Sequence, residues 1–455
     1  MPRLSPSIFK QAYSKSELLP LILRGARTLD SSINELRWLK EHVQTLKPSS
    51  PETARLKLLN LCQRRSKGEP LQYILGSQPF GELDIKCRPG VLIPRPETEL
   101  YTTYLASLIN APPTSNEIPN LYSKRANPKT SPPSLRILDL CSGSGCISLL
   151  LHSLLSPRFP QLQIFGLDIS PKAVALSKKN LSHNVLSGYL SSSASKDTPN
   201  RPPQVQFGIA DVLADLAENL GQFDVIISNP PYISRPHFST QTTRSVRKYE
   251  PLLALVPRDE NPDIFYERLI RLHQIHLSNV TVMEVGDAAQ AVRVVELAGE
   301  MDYQGFRKAP RVRNRLEIWR DDPGLQDPDR DQEIRNIAGR EVLFRGCGKI
   351  RAVVLFREKT DRHSVHKTLL NSNVVERLGV PPGEIPLTKQ KLRRQLNKER
   401  QKRKTIRRNQ ARKTKEMKEE RARASQIWKR DAEVLRMKIR EILMKKKSGA
   451  FEERS

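Results

Sequence analysis

The stretch L-R-I-L-D-L-C-S-G-S-G, residues 135–145, decides the fold. Its first six residues are rich in apolar side chains and predict a buried strand, and residues 143–155 predict a loop that leads into a helix. Glycines after a strand let the backbone approach a ligand closely, at the edge where open α/β sheets bind cofactors. The sequence here lacks both the G-x-x-x-x-G-K-[ST] phosphate loop and the third glycine of a dinucleotide fingerprint.

The same strand-and-helix unit recurs along residues 100–359. Alternation of this length predicts an α/β domain with a doubly wound, mostly parallel sheet. Two later apolar runs, residues 315–319 and 350–356, are expected to close the edge of the sheet as a hairpin. The other predicted elements are strands at residues 163–168, 205–209, 223–227 and 280–285, and helices at residues 171–183, 263–276 and 288–299.

Two smaller units are predicted before the sheet. Leucine and isoleucine at helical spacing predict a helical domain over residues 16–67, in which Pro51 begins a helix that Ser50 caps. Residues 68–99 are expected to form a β-hairpin connector, with its strands in residues 80–85 and 91–93. Residues 1–15 carry three basic residues and no acidic one, which fits a mitochondrial targeting segment and fits an ordinary, cytoplasmic N-terminus equally well.

Charge is concentrated at the other end of the 455-residue chain. Residues 388–447 contain 25 Lys and Arg against 7 Asp and Glu, a surplus of 18 within the chain's net charge of +28. Such a segment neutralises phosphate, so the tail, residues 360–455, is expected to contact RNA or the ribosome as a helix or a segment that is disordered until bound. A solvated charged helix without a partner is the alternative.

Composition excludes two other classes of protein. No apolar run reaches the roughly 18 residues of a transmembrane helix. The five cysteines form no C-x-x-C pair and have no neighbouring His ligands, so reduced thiols are expected rather than disulfides or a metal site.

The motif Asn229-Pro230-Pro231-Tyr232 stands directly behind the fourth predicted strand. Two prolines make a stiff bend that can hold the Asn229 amide and the Pro230 carbonyl aimed at one point. That point suits a planar NH2 group, because both oxygens accept its protons and the Tyr232 ring can cover its π face. The motif therefore predicts methylation of an amide or amino nitrogen, with an inert proline-rich turn as the alternative.

Acidic residues end the first three predicted strands, at Asp139, Asp168 and Asp211. A carboxylate at Asp168 can accept hydrogen bonds from both hydroxyls of a ribose, and Asp211 is near where an adenine would lie. A lone Asp at a strand end is also a common helix cap, and Asp211 fits both interpretations. The three carboxylates and the Asn-Pro-Pro-Tyr motif, at successive strand ends, together predict one binding site.

These motifs resemble the class I S-adenosylmethionine-dependent methyltransferases, and within them the HemK/PrmC family of release-factor glutamine methyltransferases. The resemblance covers about residues 18–357 and leaves out the basic tail. It implies a Rossmann-like, seven-stranded, mostly parallel sheet behind a small helical domain. The matching blocks are G-E-P-L-Q-Y-I-L-G (68–76), V-L-I-P-R-P-E-T-E (91–99), D-L-C-S-G-S-G-C (139–146), G-L-D-I-S (166–170), N-P-P-Y-I (229–233), Y-E-P (249–251), L-A-L (253–255) and M-E-V-G (283–286).

The resemblance implies that S-adenosylmethionine is the cofactor and that a peptide-chain release factor of translation termination is the substrate. Asn229 to Tyr232 would hold the glutamine of its Gly-Gly-Gln motif, which is methylated at N5, and no general base is assigned. The long two-domain form resembles organellar members, which favours a mitochondrial enzyme. The implied cofactor residues are Asp139, Cys141, Ser142, Gly143, Ser144, Gly145, Asp168, Asp211, Val212 and Asn229.

Two positions depart from the family's pattern. Cys141 stands where the first glycine is common, and Val212 replaces what is often a larger residue. The main alternative function is N6-methylation of adenine in RNA or DNA, since Asn-Pro-Pro-Tyr is shared with such enzymes, but the P-R-P-E-T-E block favours the release factor. A non-catalytic RNA-binding protein with a relic fold is disfavoured by the intact Asp139, Asp168 and Asn229.

Overall fold

The computed structural model describes residues 4–112, 117–118, 121, 134–191, 204–214, 220–259, 261–303, 312–325 and 333–359. The predicted basic tail, residues 360–455, lies outside these ranges. Among the described helices, none combines the length and apolar character needed to cross a membrane.

Helices of the N-terminal part pack around one apolar core. Ile22, Leu23 and Leu39 are fully buried in it. The prediction for Pro51 and Ser50 is confirmed, because the Ser50 side chain accepts a hydrogen bond from the Thr53 N–H at 3.1 Å. The helices are α1 Pro6–Lys15, α2 Leu19–Ala26, α3 Leu29–Thr45, α4 Pro51–Ser66 and the short α5 Leu71–Leu75.

Helix α1 lies within residues 1–15, whose composition fits a targeting segment and an ordinary N-terminus equally well. Ala12 is fully buried, and Ile8 and Phe9 pack partly buried against the core of the other helices. Ser5 caps the helix by accepting from the Ile8 N–H at 3.4 Å. The helical packing therefore begins N-terminal to residue 16.

The connector contains an antiparallel hairpin of β1 Ser77–Phe80 and β2 Leu83–Lys86, with Gly81 at φ +57° in the turn. The prediction of a second strand at residues 91–93 is wrong, because no strand pairs with this extended segment. Val91 and Ile93 are both buried, but in two different clusters, so the alternating pattern comes from an extended loop.

The predicted α/β class is confirmed, with nine strands in one sheet of the described residues instead of seven. The two additional strands form the β9–β10 hairpin, whose turn holds Ala338 and Gly339 at positive φ. All the predicted strands of the α/β domain are present. The strands are β3 Ser134–Leu140, β4 Gln161–Asp168, β5 Val205–Ile209, β6 Val225–Ser228, β7 Val280–Glu284, β8 Val312–Asp322, β9 Glu333–Ile337, β10 Arg340–Arg345 and β11 Cys347–Lys359.

The strand order is β5-β4-β3-β6-β7-β11-β8-β10-β9. The first five strands of this order are parallel to one another. β11 lies antiparallel between β7 and β8, so the two late apolar runs pair as expected, although β9 and β10 separate them in sequence. The chain order reverses between β3 and β6, which is where open α/β sheets form a ligand crevice at their carboxyl edge.

Helices cover both faces of the sheet. On one face α6, α7 and α8 contribute to a core with Tyr101 and Leu149, and on the other α11 and α12 contribute to a core with Tyr266 and Val294. The predicted helices are confirmed, and α9 and α10 were not predicted. The helices are α6 Pro96–Asn110, α7 Cys146–Leu155, α8 Pro171–Leu186, α9 Arg235–Gln241, α10 Arg244–Tyr249, the 3-10 turn Leu252–Ala254, α11 Ile264–Ile275 and α12 Ala288–Tyr303.

Candidate active site

A cavity opens at the carboxyl ends of β3 to β6, where the strand order reverses. Its walls come from five parts of the chain: residues 90–98, the glycine-rich segment after β3, the loop after β4, the loop after β5, and residues 251–258. Asn229 and Pro231 complete the lining from the end of β6. Most of the sequence blocks that resemble the family therefore contribute residues to the lining of this cavity.

The glycine-rich segment turns sharply at the cavity floor. Cys141, Gly143 and Gly145 all have positive φ, at 62°, 56° and 80°. A Cβ on Gly145 would lie 2.8 Å from the Phe207 ring, so this position requires glycine for space as well as conformation. Cys141 has a side chain and still adopts the left-handed conformation, which is uncommon for a residue other than glycine. Of the predicted residues here, Cys141 to Ser144 line the cavity.

Asp168 connects this turn to the end of β4. Its Oδ2 accepts from the Gly143 N–H and its Oδ1 from the Ser170 N–H, both at 2.8 Å. Burial raises the pKa of the Asp168 carboxyl, and the two backbone donors act in the opposite direction. Because a carboxylate offers about four acceptor sites, it keeps two for a ligand in the cavity that it lines.

Asp139 lies behind the cavity instead of lining it. The carboxylate is fully buried and accepts from the Ser148 hydroxyl at 2.6 Å and from the Ser148 N–H at 3.2 Å. Burial raises its pKa to about 7. Since Ser148 is in the first turn of α7, Asp139 fixes the start of that helix against the end of β3.

Asp211 and Val212 line the cavity after β5. The Asp211 carboxylate also accepts from the Leu213 N–H at 3.0 Å, so it stabilises a local turn as well. Val212 is 4% exposed, and its carbonyl accepts from the Arg268 guanidinium at 3.0 Å. Asp211 therefore closes a local turn and lines the cavity, and no described helix begins there for it to cap, while its place beside an adenine stays a prediction.

The Asn-Pro-Pro-Tyr motif is divided between the cavity and the protein interior. Asn229 and Pro231 line the cavity, whereas Pro230 and Tyr232 are not among its lining residues. The Tyr232 hydroxyl donates to Glu284 Oε1 at 3.0 Å, and its ring packs against Gly286. Asn229 Nδ2 donates to Thr98 Oγ1 at 3.4 Å. The hydrogen bond from the Tyr232 hydroxyl to Glu284 thus fixes the position of the Tyr232 ring.

Four charged or hydroxyl-bearing residues in or beside the site were not predicted, although each lies in a quoted sequence block: Arg95, Thr98, Glu250 and Glu284. Glu250, whose side chain is 2% exposed, accepts from Arg95 at 2.7 Å and from the Ile93 N–H at 3.2 Å. Thr98 and Glu284 form a hydrogen bond of 2.9 Å beneath Asn229. The sequence signal that could have found these residues is their membership of the blocks 91–99, 249–251 and 283–286, which contact one another here.

Known proteins resemble this chain in sequence. A family model described as "Methyltransferase small domain" matches residues 126–248. The chain is 34% identical over 312 residues to the probable MRF1 mitochondrial N(5)-glutamine methyltransferase of Schizosaccharomyces pombe, covering 66% of this chain and 91% of that protein. It is 34% identical over 264 residues to the mitochondrial MRF1 N(5)-glutamine methyltransferase of Saccharomyces cerevisiae, covering 56% and 68%. A release factor glutamine methyltransferase of Thermodesulfovibrio yellowstonii is 33% identical over 241 residues, covering 52% and 71%.

Proposed function

The chain belongs to the family of release-factor N(5)-glutamine methyltransferases, and we propose that it transfers a methyl group from S-adenosylmethionine to the side-chain nitrogen of a release-factor glutamine. One observation supports this most directly. Asp168, the glycine-rich turn and Asn229 line one cavity, which supports a site where a cofactor and an amide substrate meet.

The residues at the cavity floor fit the cofactor. The two free acceptor sites of Asp168 suit the two ribose hydroxyls, and the backbone of residues 141–145 permits close approach. Asp211 and Val212 would lie beside the adenine, with Phe265 as a further apolar surface. Asp139 would act indirectly, through the start of α7 that it holds.

The sulfonium group of the cofactor supplies a methyl group that is already activated, so the protein chiefly aligns the reacting atoms. The Asn229 oxygen and the Pro230 carbonyl would accept the two protons of the glutamine amide. Both oxygens would then stabilise the positive charge that grows on the nitrogen during transfer. The prolines and the buried hydroxyl of Tyr232 keep these acceptors in place before the substrate arrives.

Adenine methylation is the competing function, and the cavity wall favours the release factor over it. Residues 91–98 belong to the block that distinguishes the release-factor family from other Asn-Pro-Pro-Tyr enzymes, and Glu250 belongs to another block of the resemblance. The Arg95–Glu250 ion pair holds these two blocks together at the cavity.

The test is a transfer assay with methyl-labelled cofactor, a purified mitochondrial release factor and total RNA in one reaction. Label should enter the release factor and be lost when its Gly-Gly-Gln glutamine is replaced by alanine. Asn229→Ala should reduce transfer by roughly 10²-fold or more, as for loss of one preorganised polar partner, with cofactor affinity nearly intact. Ser234→Ala, which removes only the cap of α9, is the matched control. Label in RNA, or Asn229→Ala at the parental rate, would contradict the proposal.

We further propose that the substrate is a mitochondrial release factor and that the enzyme acts in that compartment. The support is that both fungal relatives are named mitochondrial enzymes. The surplus of 18 positive charges in residues 388–447 supports a second contact, with RNA or the ribosome, near which release factors work.

A further inference from the structure

A buried carboxylate lies behind Asn229 and accepts hydrogen bonds from three hydroxyl groups. Glu284, at the end of β7, is 2% exposed. Its Oε2 accepts from the Thr98 and Tyr101 hydroxyls, both at 2.9 Å, and its Oε1 accepts from Tyr232 at 3.0 Å. Three parts of the fold, α6, β7 and the segment after β6, are thus joined at one group.

The direction of these hydrogen bonds follows from the chemistry of the groups. An ionised carboxylate only accepts, and each hydroxyl has a single proton to donate. Thr98 donates its proton to Glu284, so toward Asn229 its oxygen can only accept. The Asn229 atom that faces Thr98 must therefore be the donor, Nδ2.

The opposite face of the Asn229 amide is determined at the same time. With Nδ2 held by Thr98, the carbonyl oxygen is available to the cavity that Asn229 lines. If the Asn229 side chain were rotated so that its oxygen and nitrogen changed places, the amide oxygen would face the Thr98 oxygen with no proton between them. Such a contact would lose a hydrogen bond and leave polar atoms unpaired.

The surroundings of Glu284 bear on its charge. Burial raises the pKa of the Glu284 carboxyl, while the three hydroxyl donors and the nearby Arg351 guanidinium act in the opposite direction. Arg351 is itself fixed by Asp321 at 2.7 Å. The three donors fit an ionised group, whose desolvation they partly offset.

We propose that Thr98, oriented by Glu284, is a positioning residue that turns the carbonyl oxygen of Asn229 toward the substrate amide. This inference rests on the function proposed above. The glutamine nitrogen is a donor and needs an acceptor, which the Asn229 oxygen supplies. An acceptor at this position repels a glutamate carboxylate, so the same arrangement selects glutamine over glutamate.

The experiment compares three single variants in the release-factor assay, using the full chain. Thr98→Val keeps the shape and removes the hydroxyl, and it should lower kcat by about 10- to 100-fold with an unchanged cofactor Kd, in line with loss of one polar contact to a catalytic group. Thr98→Ser keeps the hydroxyl and should retain most of the parental rate. Thr102→Val is the matched control, because this hydroxyl, one turn along α6, donates to the Thr98 carbonyl at 2.6 Å and not to Glu284.

A double variant separates positioning from a merely structural role. If Thr98 acts through Asn229, Thr98→Val should cause no further loss in an Asn229→Ala background. Additive losses, or a Thr98→Val enzyme as active as the parent, would overturn the inference. If Thr98→Val does not fold, as judged by thermal denaturation, Thr98→Ala repeats the test without the added methyl group. A parent enzyme that labels no release factor would instead refute the proposed function.

Discussion

Asp168 provides the most direct test of the cofactor site, through the substitution Asp168→Ala. The carboxylate makes two hydrogen bonds of 2.8 Å to the N–H groups of Gly143 and Ser170 and has two acceptor sites left for the ribose. The substitution removes both kinds of contact at once. The first kind exists in the free protein and affects its stability, whereas the second exists only with the cofactor bound.

The magnitude of each effect follows from the kind of bond. Loss of charge-assisted hydrogen bonds to the ribose should weaken cofactor binding by about 1.5–3 kcal/mol. Because about 1.4 kcal/mol corresponds to a tenfold change, Kd should rise by roughly 10- to 150-fold. Loss of the bonds to Gly143 and Ser170 should also lower the melting temperature of the free protein.

Titration calorimetry with S-adenosylmethionine measures the affinity, and thermal denaturation without cofactor measures the stability. Ser148→Ala is the control. It removes the hydroxyl that donates a hydrogen bond to Asp139, which weakens the contact between the end of β3 and the start of α7, and it changes no residue that lines the cavity. It should lower the melting temperature while leaving Kd nearly unchanged. An Asp168→Ala protein with the parental Kd would refute the assignment of Asp168 to the ribose.

Three further predictions concern stability and the tail. Burial raises the pKa of Asp139 to about 7, so the stability gained from its protonated form is complete below pH of about 4 and is lost as the pH rises toward 7. Asp139→Asn should remove this part of the decline in melting temperature measured between pH 4 and 7, and an unchanged slope would contradict it. Glu250→Gln leaves Arg95 without its anionic partner and should cost about 1–2 kcal/mol in urea denaturation, with KM for the release factor rising more than cofactor Kd. Truncation before Thr388 should leave methylation of a purified release factor unchanged and abolish co-sedimentation with ribosomes; an insoluble or inactive product would show that the tail belongs to the fold.

The strands that carry the site could be predicted because each is a run of apolar residues followed by a polar or glycine-rich segment. The β9–β10 hairpin could not, because its two short strands, E-I-R-N-I and R-E-V-L-F-R, are at least half charged or polar and contain no apolar run longer than V-L-F. Residues 91–93 show the reverse error. Val91 and Ile93 are buried in two different clusters in a loop that begins with a turn at residues 88–91, and alternation of apolar residues does not by itself show that a neighbouring strand exists.

The functional residues divide in the same way. A carboxylate at the end of a parallel strand is adjacent both to the ligand crevice and to the following helix, and the residue type does not distinguish the two. Asp168 faces the crevice, whereas Asp139 faces α7, where Ser148 offers it both a hydroxyl and an N–H. Ser148, nine positions after Asp139, therefore determines that Asp139 faces α7 and not the crevice. Its N–H is one of the donors that a helix leaves without a partner in its first turn, and the Asp139 carboxylate accepts from it.

Glu284 shows which sequence signal points to the contacts beneath Asn229. It lies in V-T-V-M-E-V, residues 280–285, a strand buried along its whole length. A carboxylate in such a strand must find donors, because an unpaired buried charge costs far more than one strand residue can contribute. The sequence thus indicates a buried polar cluster at the end of β7, but it does not name the donors, since Thr98 is 186 residues away and also fits an ordinary first helical turn. Topology brings the two together: β7 is the parallel neighbour of β6, so its carboxyl end lies beside the Asn-Pro-Pro-Tyr motif. Hydroxyls from α6 and from that motif donate to the Glu284 carboxylate there.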